Sequence, residues 1–138
     1  MTTNAPAEST SQQSDPAKYD PSQLEVSRIR ALRGPNYWRL APVIACDVRL
    51  GNLEKVTSAE IPELNNRLLE AIPSLHLHKC TRNKPGGFVE RLKEGTHIPH
   101  ILEHLALELQ SMIGNEVAFG RVVPSGDEGV WWLIVEYQ

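Results

Sequence analysis

The chain has 138 residues, of which 41% are hydrophobic and 22% charged, with a net charge of −3. That size supports one domain with a real core, and the slight acidity gives no ground for general nucleic-acid binding. No apolar run reaches the length of a membrane span, and the start of the chain lacks the basic and apolar regions of a signal peptide.

Residues 1–22 are Ser, Thr, Gln, Ala, Pro and Asp in the main, with no aliphatic anchor after Met1. Such a segment cannot bury enough surface to offset its ordering entropy, so a disordered tail is expected there and a folded domain over 23–138. Leu24–Leu32 and Pro42–Leu50 read as strands, separated by the turn chemistry of Arg33-Gly34-Pro35-Asn36. Tyr37 and Trp38 are expected to plug one end of the core. Cys46 is expected as a small buried hydrophobe in the second strand. Two cysteines, Cys46 and Cys80, make no disulfide framework, so the expected compartment is the cytoplasm with both thiols reduced.

Ser58–Ile72 carries apolar residues at helical spacing, with Pro62 in its first turn and Pro73 at its end. Leu75–Cys80 alternates, which would put His76, His78 and Cys80 on one side of an extended segment. Thr81–Gly87 is a polar loop. Gly86 and Gly87 permit left-handed backbone or close approach to a ligand, but the loop is too short and lacks the Lys-Ser/Thr of a nucleotide-binding loop. Phe88–Leu92 reads as a short strand. A helix follows, with Thr96 or His97 near its N-cap and its stop near Ile113-Gly114. Its inward face is expected to be Ile101, Leu102, Leu105, Leu109 and Met112. Val117–Val123 and Val130–Tyr137 read as a closing hairpin. The order β-β-α-(β)-α-β-β implies a single α+β domain, a mostly antiparallel sheet with two main helices packed on it.

The chemistry concentrates in His100-Ile101-Leu102-Glu103-His104, an H-x-x-E-H pattern inside the last helix. Positions i and i+4 share a helix face, so His100 and His104 can aim two imidazoles at one point, with Glu103 bordering that face. Two neutral imidazoles suit Zn²⁺, and a carboxylate beside the ion can take a proton from water. All five histidines fall between His76 and His104, with Cys80 among them. Cys80 is the first choice for a third ligand, with His78 as the alternative. Glu108 is the other candidate, but it lies about 12 Å beyond His100 along the axis. It fits better as an acceptor from a histidine N–H. One zinc ion per chain is the expected cofactor. The reaction implied is water attacking an amide carbonyl, with Glu103 as general base. Arg91, Arg82 or Lys84 would serve as oxyanion donor or substrate clamp, and Glu90 and Glu94 as guanidinium partners for a cationic substrate.

Several blocks in order resemble the start of cyanophycin synthetases: Leu32–Trp38, Ile72–Leu75, His78-Lys79-Cys80, Gly86-Gly87-Phe88, Gly95-Thr96, His100–Gln110, Phe119-Gly120-Arg121 and Val135-Glu136-Tyr137. The resemblance covers roughly Ile29 to Tyr137 and only the family's N-terminal domain; the ATP-grasp and Mur-ligase-like domains have no counterpart. It implies binding of cyanophycin, a poly-aspartate backbone with arginine on each side chain. It further implies a hydrolytic site that cuts the polymer into short primers, with Glu103 catalytic and His100 and His104 paired. Pro85 and Pro99 depart from the family's usual residues. The expected function is a zinc-dependent endo-hydrolase of cyanophycin, free-standing and serving a cyanophycin synthetase. The alternative is a non-catalytic module that docks the polymer or a synthetase.

Overall fold

The computed structural model describes residues 21–138, so the expected tail lies almost wholly outside the described residues. Pro21–Gln23 opens the described chain as a 3₁₀ turn. Seven elements follow: strands β1 (Glu25–Leu32) and β2 (Val43–Arg49), helices α1 (Pro62–Ala71), α2 (Gly87–Glu94) and α3 (Ile98–Met112), and strands β3 (Gly120–Pro124) and β4 (Val130–Glu136). The strands form one antiparallel sheet in the order β1-β2-β4-β3. The α+β class and the antiparallel sheet are as expected.

The two central strands explain the layering. Successive side chains in a strand point to opposite faces. On β2 and β4, Cys46, Val48, Leu133 and Val135 face one way and pack against Phe88, Leu92, Ile98, Ile101 and Leu107 of the helices. Val43, Ala45 and Ile134 face the other way, under Trp38, Phe119 and Trp132. Cys46 is buried, as expected of a small hydrophobe there. Trp38 covers this second face, but Tyr37 is 90% exposed. The Asn36 side chain explains the difference: it accepts from the Trp38 and Arg39 N–H groups and holds a turn that carries Tyr37 outward.

Three segments depart from the sequence reading. The α1 region begins with a separate 3₁₀ turn at Ser58–Glu60, closed by a Thr57–Glu60 capping box, and the helix proper starts at Pro62. Residues Pro73–Leu77 and Cys80–Arg82 are 3₁₀ turns, so His76, His78 and Cys80 do not share an extended face, and His76 points to solvent. The expected strand at Phe88–Leu92 is helix α2, because Phe88 and Leu92 need the i, i+4 spacing to reach the core together. At the last helix, Leu109 and Met112 are exposed rather than inward. The buried stripe of α3 runs through Ile101, His104, Leu107 and Glu108, which leaves Leu109 outside it.

Candidate metal centre

Helix α3 starts at Ile98 with Pro99 in its first turn, where a missing N–H costs nothing. Its regular winding brings His100 Nε2 and His104 Nε2 to 3.1 Å from each other. The third group comes from a different element. Cys80 opens the Cys80–Arg82 3₁₀ turn with a left-handed φ of 52°, unusual for a residue with a Cβ. That conformation sets its Sγ 3.4 Å from His100 Nε2. The turn is anchored from below. Phe88 N–H donates to the His78 carbonyl, and a Cβ on Gly87 would meet the Lys79 carbonyl oxygen at 2.0 Å. The close approach that Gly87 permits is therefore to the chain itself, and Gly86 supplies the left-handed turn before it.

The Cys80, His100 and His104 donor atoms all lie within 4.8 Å of one another. A tetrahedral zinc with its usual Zn–N and Zn–S bonds holds such donors roughly 3.4–3.7 Å apart. Two nitrogens and one sulfur at this spacing fit a divalent ion with a position left for water. The imidazoles are kept in the state such an ion needs. Burial, then the charges of His97 and Arg91, press the His100 pKa down to about 4. Burial, then His100 and His78, press His104 down to about 3. Both rings are thus neutral at pH 7.

Each ring is also oriented through its other nitrogen. Thr96, 2% exposed, sets its hydroxyl 2.8 Å from His100 Nδ1. His78 Nδ1 lies 2.8 Å from His104 Nδ1, and His78 Nε2 lies 2.5 Å from a Glu108 carboxylate oxygen. Burial alone would raise the Glu108 carboxyl, but hydrogen bonds from Ser74 and His78 leave it below its ordinary value. His78 and Glu108 therefore stand behind His104, not beside Cys80. Phe88, fully buried, stacks on the His104 ring at 4.0 Å. Thr96 and Phe88 escaped the sequence reading as site residues; nothing in their local pattern marks a side chain that touches an imidazole.

These donors form one wall of a cleft of about 590 Å³, lined also by Lys79, Thr81, Glu103, Ala118, Arg121 and Val122. Glu103 is pressed against the sheet: a Cβ on Gly120 would stand 2.6 Å from its Cγ. Burial raises its pKa to about 7. A carboxylate tuned there is well matched to taking and returning a proton near neutrality.

The other residues expected at the site lie elsewhere. Arg82 pairs with Glu90 at 3.3 Å and with Glu94, and Lys84 pairs with Glu90 at 3.1 Å. This ion-pair group sits on the outer side of α2, and none of its members lines the cleft. Arg91 also stays out of the lining, with its Nε buried. Arg121 and Lys79, not singled out from the sequence, are the cleft's cations. Among the described residues no helix is long and apolar enough to cross a membrane.

Comparison with known proteins gives this geometry its context. The chain is 41% identical over 116 residues to a cyanophycin synthetase of Trichormus variabilis, 40% to one of Crocosphaera subtropica and 37% to one of a Synechocystis species. Each alignment covers 83% of this chain and 13% of the relative. The chain thus spans about an eighth of the length of the curated relatives it matches. Residues 45–138 match the family model described as the cyanophycin synthase-like N-terminal domain, and the chain belongs to that family.

Proposed function

We propose that this chain is a metal-dependent endo-hydrolase that cuts cyanophycin into short primers for polymerisation, acting in the cytoplasm alongside a cyanophycin synthetase. One observation carries the reading: Cys80, His100 and His104 converge in a cleft that also holds the half-buried Glu103. A module that only docks a polymer has no need of a carboxylate tuned toward pH 7 beside three ligand atoms.

Cys80, His100 and His104 would hold the ion, and zinc suits one sulfur and two imidazole nitrogens. When bound, the ion would polarise a carbonyl and acidify a water. Glu103 accepts the proton of that water and returns it to the leaving amine as the backbone amide breaks. The raised pKa of Glu103 makes both halves of this transfer easy at neutral pH. Thr96, and the His78–Glu108 pair, keep the ligand rings in place through the cycle. An arginine joined by its α-amine to an aspartate side chain keeps its own carboxylate. Arg121 and Lys79 in the cleft suit that group.

The test is incubation of the protein with purified polymer, with and without a chelator, followed by sizing of the chains. Shorter chains only when metal is present support the hydrolase. Binding without shortening supports the docking module.

A further inference from the structure

The cleft has a wall whose backbone is unpaired. β3 is the end strand of the sheet, so only one side of it is hydrogen-bonded to β4. The ladder tells which residues face the free side. The Phe119 carbonyl accepts from Glu136 N–H at 2.9 Å, and Ser125 N–H donates to the Val130 carbonyl at 3.1 Å. Both pairs continue the register of Arg121 with Ile134 and Val123 with Trp132. In an antiparallel pair, hydrogen-bonded residues alternate with residues whose N–H and C=O point away. Gly120, Val122 and Pro124 therefore turn their backbone groups outward. Pro124 has no N–H to offer, which fits an edge position.

This edge differs from the other one. β1 is broken by a register shift between Ser27 and Arg30, with Arg28 in a left-handed conformation, a distortion that discourages a further strand. β3 pairs with β4 without a break. Its Arg121 and Val122 line the cleft, and its Gly120 touches Glu103. A chain added to this edge would run alongside the carboxylate.

We propose that the extended backbone of the polymer docks on the free edge of β3, hydrogen-bonding to Gly120 and Val122. This rests on the hydrolase reading for the identity of the polymer and extends it to how the polymer is held. The occupant is a peptide because only a peptide offers N–H and C=O groups at strand spacing. Main-chain pairing presents every second amide of a repeating backbone to Glu103 in an equivalent way, so a shift of two residues brings the next bond into place, as internal cutting of a uniform polymer requires. Alternate side chains of the bound strand would face the cleft and its rim, so both must tolerate the arginyl groups.

Val122→Pro tests this. It removes an outward N–H and none of the ladder, as Pro124 already does two residues on. Binding of a short Asp-Arg oligomer to the metal-loaded protein is measured by calorimetry, with thermal stability and metal affinity as checks on the fold. A rise in Kd of about tenfold with metal affinity unchanged supports the edge; an unchanged Kd overturns it. A second measurement needs no variant: oligomers N-methylated at alternate backbone amides are titrated into the wild-type protein. One methylation register weakening binding about tenfold supports strand pairing, and equal binding of all registers overturns it. Cleavage of the parent polymer is read alongside. Polymer bound through the edge but never cut would remove the hydrolase reading and leave the docking mode. Polymer cut with every Kd unchanged would do the reverse.

Discussion

His78 Nδ1 stands 2.8 Å from His104 Nδ1, so one proton is shared between the two rings. If His104 Nε2 faces an ion, its Nδ1 must carry that proton and donate it to His78. His78 Nε2–H then donates to Glu108 at 2.5 Å, and every tautomer in the chain is fixed. Removing either member frees His104 to rotate or to take the wrong tautomer. His78→Ala or Glu108→Gln should weaken metal binding by about 10–100-fold, measured by competition with a chelator of known affinity. Wild-type affinity in both variants would contradict this role.

Gly120 is required by what lies opposite. A Cβ there would meet the Glu103 Cγ at 2.6 Å and its carboxyl carbon at 3.0 Å. Gly120→Ala should push Glu103 out of place, lowering kcat by about tenfold or more while metal affinity stays within a factor of two. Loss of metal together with activity would show that the strand, not the carboxylate, had moved.

In the metal-free protein, pH acts on the site in two opposed ways. The Glu103 carboxyl, raised to about 7, holds a proton that the unfolded chain releases, so stability falls as pH rises through the window from 4.5 to about 7. His100 and His104, lowered to about 4 and about 3, stay neutral while the unfolded chain takes up protons, so stability falls as pH drops below 6.5. Glu103→Gln removes only the first effect. Its Tm should exceed that of the wild type by roughly 5 °C at about pH 8, with the gain gone at about pH 4.5. A gain of equal size at both pH values would rule out the Glu103 carboxylate as its source.

Arg121 is exposed at the cleft and has no resolved ion-pair partner among the described residues. If it meets the carboxylate of an arginyl group, Arg121→Ala should raise KM about fivefold or more and change kcat little. Steady-state kinetics on polymer separate the two parameters, and an unchanged KM would exclude that contact.

Much of the fold and part of the site were legible from residue order. The i, i+4 rule put His100 and His104 on one face because α3 is regular, and their nitrogens meet at 3.1 Å. β2 and β4 read as strands because each is a short, nearly continuous apolar run, and it is continuous because both faces of each strand are covered. The segment from Leu75 to Cys80 was misread because alternation in six residues does not distinguish a strand from turns that Pro73 and the left-handed Cys80 impose. Phe88–Leu92 was misread for the same reason, its helix being only eight residues long. Thr96, Phe88 and Arg121 reach the cleft or its ligands through tertiary packing, which no local spacing encodes.

The most direct test pairs metal content with turnover in Glu103→Gln. The variant should bind one metal ion per chain with wild-type affinity and shorten cyanophycin chains at least about 100-fold more slowly than the metal-loaded wild-type protein. Wild-type cleavage by that variant, or no metal-dependent cleavage by the wild type itself, would contradict a hydrolase built on Cys80, His100, His104 and Glu103.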